Sequence, residues 1–123
     1  MNKDNSKVII CDDDPSILEL LELITLSAGC EPLILSKSLD VMNAIRQNKP
    51  SLVILDLWMP VMSGDMVLQA IRKEAQCADL PVLIISASRD GKMIAEKSGA
   101  TEYLAKPFDI MDLTHIIEKY CCS

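Results

Sequence analysis

The stretch Ser51–Gly64, SLVILDLWMPVMSG, decides how the rest of the chain is read. Its apolar run Leu52–Leu55 has the length and composition of a buried strand. The run ends on a carboxylate, Asp56, ahead of a turn punctuated by Pro60 and Gly64. A strand without polar alternation is covered on both faces, which is the habit of parallel sheets. Asp56 then stands at the mouth of a sheet. A carboxylate there also serves as a helix cap or a solvated loop residue, so its meaning depends on what other segments bring to the same edge.

Working back from this strand, Leu39–Gln47 reads as a helix with Leu39, Val41, Met42 and Ile45 inward, and Pro32–Leu35 as a strand. Val8–Cys11 is another short apolar run, and it ends in three successive carboxylates, Asp12, Asp13 and Asp14. Asp14 followed by Pro15 is an N-cap with proline at the first helical position. It opens a helix to about Ala28 with Ile17, Leu18, Leu20, Leu21, Leu23 and Ile24 on its apolar face and Gly29 closing it. Working forward, Gly64 to about Cys77 reads as a helix with Val67, Leu68, Ile71 and Ala75 on one side. Val82–Ile85 is a strand ended by Ser86, Ala87 and Ser88, and Asp90–Ser98 a short helix stopped by Gly99. Tyr103–Ala105 is a strand ended by Lys106 and Pro107, after which Asp109 caps a helix to about Tyr120.

Five apolar strands alternating with five helices predict an α/β fold, a doubly wound parallel sheet of flavodoxin-like type in the order 2-1-3-4-5. At 123 residues the chain has room for one ordinary domain, and half of its residues are apolar, enough for a real core. Twelve Lys and Arg against 18 Asp and Glu give a formal charge of -6, which argues against a non-specific grip on nucleic acid and suits a basic partner surface. The polar start MNKDNSK lacks the apolar core of a signal peptide, and no apolar run reaches bilayer length, so the chain is read as cytoplasmic. The five cysteines, two of them the adjacent pair Cys121 and Cys122, have no metal-ligand spacing. Their odd number suggests reduced thiols.

Right-handed crossovers put every strand's C-terminal end on one edge. Asp12 and Asp13 therefore share an edge with Asp56, Ser86 and Lys106, and the crevice of a 2-1-3-4-5 sheet falls between its first and third strands. Taken alone, the acidic run either splays into water or gathers a cation. Three carboxylates flanking one crevice repel unless something positive joins them, and an all-oxygen site suits a hard divalent ion, Mg²⁺ before others in a cell. The set looks like a phosphoryl-transfer site with Asp56 as acceptor, in which Mg²⁺ and Lys106 neutralise phosphoryl oxygens and Ser86 donates to one of them.

Four segments then carry a resemblance: IICDDDPSILELL, LVILDLWMPVMSG, VLIISAS and GATEYLAKPFD. In this order and at these separations the chain resembles the receiver domain of two-component response regulators over about residues 6 to 120. The resemblance implies that Asp56 accepts a phosphoryl group from a phosphohistidine of a sensor kinase or phosphotransfer protein. It further implies that Asp13 binds Mg²⁺ directly, Asp12 mainly through water, and the Trp58 main-chain carbonyl as a further ligand. Ser86 would swing inward to the phosphoryl group, Lys106 would pair with it, and the rotamer of Tyr103 would report the state. A cis Lys106–Pro107 bond is expected, as is a role for Gly64 in turning the loop into the following helix. The face of the fourth helix, fifth strand and fifth helix would switch to control an output domain, a docking target or a phosphorylation-dependent homodimer. No output module is expected within these residues. Such a domain catalyses its own phosphorylation and dephosphorylation rather than turning over an external substrate. Two other classes compete: an interaction domain of the same fold that is never phosphorylated, and an Mg²⁺-dependent phosphatase with an Asp nucleophile. The first predicts loss of an acidic residue or the lysine, and all are present; the second needs a substrate pocket and a general acid.

Overall fold

The structure, a computed structural model, describes residues 6–121. Five parallel strands, β1 (Lys7–Cys11), β2 (Glu31–Leu35), β3 (Leu52–Asp56), β4 (Val82–Ser86) and β5 (Glu102–Ala105), form one sheet in the order β2-β1-β3-β4-β5. Helices α1 (Pro15–Ser27), α2 (Val41–Asn48), α3 (Gly64–Lys73), α4 (Gly91–Ser98) and α5 (Ile110–Cys121) cover its two faces, giving the flavodoxin-like arrangement the sequence predicts. Alternate residues of the central strands feed two cores. Ile9, Val53, Leu55, Val82 and Ile84 pack with Val41, Ile45, Val67, Leu68 and Ile71 on the side of α2 and α3. Val8, Ile10, Leu52, Ile54, Leu83 and Ile85 pack with Leu21, Ile24, Leu113 and Ile117 on the side of α1 and α5. Burying a side chain of this size stabilises by about 1.5–3 kcal/mol, which is why β1, β3 and β4 are such unbroken apolar runs.

Three expectations are corrected. Leu39 points out, 65% exposed, because Ser38–Asp40 form a 3₁₀ turn and α2 begins only at Val41; Ser38 is the buried residue there, its hydroxyl donating to the Pro60 carbonyl at 3.3 Å. Leu23 on α1 is likewise exposed, and Thr25 is buried in the helix with its hydroxyl donating to the Leu21 carbonyl. Helix α3 stops at Lys73 rather than Cys77. Glu74 is extended and paired with Arg46 at 2.7 Å, a separate 3₁₀ turn follows over Ala75–Cys77, and Ala75 is exposed. Of the adjacent cysteines, Cys121 closes α5 and Cys122 lies outside the described residues. Among the described residues no helix is long and apolar enough to cross a membrane.

Candidate functional site

The sheet ladder positions the site. Asp56 is the last residue of β3, paired with Ile85 of β4, and Asp12 follows directly on β1, whose last residue Cys11 pairs with Leu55. Lys106 follows β5, its backbone N–H donating to the Ser86 carbonyl at 2.8 Å. Its ammonium reaches back across β4 to lie 3.1 Å from Asp56 Oδ1 and 3.2 Å from Asp12 Oδ2. Both carboxylates are buried, whereas Asp13 is exposed at the rim. One oxygen from each of Asp12, Asp13 and Asp56 lies within 4.8 Å of the others.

Local hydrogen bonds separate the three consecutive acids. Asp14 is the N-cap of α1, accepting from the Ser16 N–H at 2.9 Å, and Asp12 Oδ1 accepts from the Asp14 N–H at 2.9 Å. Asp12 is thereby held with its second oxygen toward Lys106. Burial first, and then the neighbouring Asp12, raise the Asp56 carboxyl above the ordinary carboxylate value, although Lys106 works against the shift. Burial works against the Lys106 ammonium, but Asp12 and Asp56 outweigh it and its pKa is raised. The same acids add to burial at Cys11, whose thiol is pushed up to about 12.

Three carboxylates and one ammonium leave a formal charge of -2 at one mouth. At an effective dielectric of about 20, two like charges about 4 Å apart cost about 4 kcal/mol, so the arrangement favours a divalent cation over none. Hard carboxylate oxygens within this spacing, beside open solvent that can supply waters, fit Mg²⁺. Asp12, Asp13 and Asp56 are the side chains able to hold it.

The remaining expected residues surround this mouth. Ser86 is fully buried, its hydroxyl accepting from the Ser88 N–H at 3.0 Å. The Tyr103 hydroxyl donates to the Ser86 carbonyl at 3.4 Å, so the ring tip sits at the end of β4. Trp58 has its side chain 53% exposed, whereas Leu57 beside it is buried. The Lys106–Pro107 bond is cis. Gly64 serves by size rather than by backbone freedom: its N–H donates to the Leu57 carbonyl at 2.7 Å. A Cβ there would lie 2.9 Å from Leu57 Cα and collide with the Asp56 carbonyl oxygen.

Two residues at this edge escape a sequence reading. Val61 has φ of 71° and forms a tight γ-turn, the Met62 N–H donating to the Pro60 carbonyl at 2.7 Å; a valine carries no signal for that conformation. Gly91 is buried against Ser86 and Tyr103, and its position five residues after Ser86 is the only trace it leaves in the sequence.

Comparison with known proteins agrees with this geometry. A family profile described as response regulator receiver domain matches residues 8–118. The chain is 33% identical over 109 residues to the DNA-binding dual master transcriptional regulator RpaA of Synechocystis sp., covering 87% of this chain and 45% of that protein. It is 29% identical over 115 residues to the DNA-binding response regulator MtrA of Mycolicibacterium smegmatis, covering 92% and 49%. The chain thus spans about half the length of the curated relatives it matches. A crystal structure of a response regulator receiver domain protein from Clostridium thermocellum superposes with a TM-score of 0.85 at 30% identity, covering 95% of this chain and 94% of that one.

Proposed function

The chain belongs to the response regulator receiver domain family, and from that membership we propose that Asp56 takes a phosphoryl group from the phosphohistidine of a sensor kinase or phosphotransfer protein. An Asp56 oxygen forms the new O–P bond as the N–P bond of the donor breaks, and the imidazole leaves with the electron pair. The reading is carried by one observation, the Lys106 ammonium shared between two buried carboxylates at strand ends with Asp13 in reach. Lys106 follows the charge from the Asp56 carboxylate to the phosphoryl oxygens. Ser86 exchanges the Ser88 N–H for one of those oxygens, as donor. Asp12, Asp13, Asp56 and the Trp58 carbonyl hold Mg²⁺. When bound, that ion supplies positive charge to the transferring group.

Movement of Ser86 and Tyr103 transmits the modification to the face of α4, β5 and α5, which acts on an output domain, a docking target or a second copy of the chain. The partners are proteins of the cytoplasm, and the chain itself makes no contact with nucleic acid or membrane. The test is incubation with acetyl phosphate and MgCl₂ followed by intact-mass measurement. The expected result is addition of one phosphoryl group, absent in Asp56→Asn and absent with EDTA; an equal mass gain in Asp56→Asn overturns the assignment.

A further inference from the structure

The connection between β4 and α4 is only four residues, Ala87 to Asp90, so the first turn of α4 comes down directly on the end of the strand. The Gly91 N–H donates to the Ser88 carbonyl at 3.2 Å, and the Ser88 hydroxyl donates to Asp90, which fixes that approach. Gly91 is buried. A Cβ at this position would fall 2.7 Å from the Tyr103 hydroxyl, 2.8 Å from Ser86 Oγ and 2.8 Å from Ser86 Cβ. The Ser86 hydroxyl can rotate away from such an intruder, and the Tyr103 hydroxyl can withdraw only with its ring. The Ser86 Cβ cannot, because it is bonded to a backbone held in the ladder opposite Ala105.

Resting on the reading of Ser86 and Tyr103 as movable partners of a phosphorylated Asp56, we propose that Gly91 is a positioning residue, its missing side chain forming the niche in which both hydroxyls sit before phosphoryl transfer. Ser86 and Tyr103 come from different strands, and the Tyr103 hydroxyl donates to the Ser86 main-chain carbonyl rather than to the Ser86 hydroxyl, which accepts from the Ser88 N–H. What relates their side chains is common occupancy of the space over Gly91. When the Ser86 hydroxyl leaves for a phosphoryl oxygen, the vacated volume borders Tyr103, the start of α4 and the Ser88 N–H that had been donating to it, so the displacement passes into the β4–α4 connection and that helix. A methyl group at 91 fills the niche in advance. It expels the Tyr103 hydroxyl and turns the Ser86 hydroxyl away whether or not Asp56 carries phosphate.

Two measurements test this. The first is a double-mutant cycle of Gly91→Ala and Tyr103→Phe read by thermal unfolding without acetyl phosphate. Gly91→Ala alone lowers Tm by about 5 °C or more, although alanine is the better helix former, and part of that drop, the share owed to the tyrosine oxygen rather than to the fixed Ser86 Cβ, disappears when the tyrosine hydroxyl is absent. A purely helical cost at position 91 would not respond to an oxygen atom on β5, so an additive cycle overturns the inference. The second follows the Tyr103 ring resonances by NMR on addition of acetyl phosphate and MgCl₂. The change seen in the wild-type chain is at least halved in Gly91→Ala, whose Tyr103 signal is already displaced at rest; an undiminished change overturns the inference. The cycle needs no phosphorylation, so its result stands even if Asp56 takes up no phosphoryl group, an outcome that would sink the proposed function instead.

Discussion

At the edge where the strands begin, Arg72 of α3 donates to the carbonyls of Leu80 (2.7 Å), Gly99 (2.9 Å) and Cys77 (3.4 Å) and to the Thr101 hydroxyl (3.2 Å). At the edge where they end, Lys106 faces Asp12 and Asp56. Each cation ties the entrance or exit of β4 and β5 to a neighbouring element. Arg72 meets neutral hydrogen-bond acceptors; burial lowers its pKa and the charge of Asp79 works against that shift, so no excess of negative charge gathers around it. Lys106 meets more negative charge than it can cancel, and the same edge holds Val61 at positive φ and the half-exposed Trp58. A residue at positive φ occurs at both ends, Lys49 ahead of β3 and Val61 after it, so what sets the second end apart is uncancelled charge, which stability alone would not select.

The widest separation between the two ends should come from Arg72→Ala. It strands several carbonyls and lowers stability by about 2–4 kcal/mol, measured by urea unfolding, while the folded protein reaches the same phosphorylated fraction with saturating acetyl phosphate. A neutral result would erase the contrast. Next comes Asp56→Asn, a change at the other end of opposite sign. The raised Asp56 carboxyl means that its protonated form is favoured in the folded state. Its contribution is therefore fully present below the unfolded value of about 3.9 and is lost as pH rises through the folded one. Asparagine removes that loss, so Tm at pH 7 without Mg²⁺ rises by roughly 2–5 °C, and the gain shrinks toward zero in acid and on adding Mg²⁺.

A smaller gain is expected from Val61→Gly, since a β-branched residue at φ of 71° in a γ-turn is strained and glycine adopts positive φ without a Cβ penalty; relief of about 0.5–1 kcal/mol should appear as a higher urea midpoint with unchanged slope. The smallest effect is kinetic. On the proposed reading, Trp58, two residues beyond Asp56 and half-exposed, shields the phosphoryl group from water. Trp58→Ala should speed loss of phosphate from the isolated chain about two- to fivefold, under 1 kcal/mol of barrier, followed by the decay of the phosphorylated mass. A slower decay would remove the indole as a shield.

How much of this is visible in the sequence follows the same division. β1, β3 and β4 are legible because each is an apolar run stopped by a polar residue, and parallel topology then assembles Asp12, Asp13, Asp56, Ser86 and Lys106 without further information. What is hidden depends on contacts between distant segments. No Gly or Pro marks the end of α3; Glu74 is extended and paired with Arg46, 28 positions earlier. Leu39 has the apolar character of a core residue, yet Ser38 takes the inward place through a bond to the Pro60 carbonyl. Gly91 looks like an ordinary helix residue until the end of β4 is brought beneath it. Periodicity records which face a residue prefers, but not how closely another backbone will approach.

Cys11, one residue before Asp12 and in register with Leu55, gives the buried sulfur a bearing on chemical longevity. A mixed anhydride between an aspartate and phosphate is an electrophile that a thiolate cleaves, capturing the acyl carbon as a thioester. With its thiol pushed up to about 12 by burial and by the surrounding acids, Cys11 stays protonated at neutral pH and is no nucleophile. Burial first, and then the acids gathered at this edge, keep that sulfur from competing for an acyl phosphate.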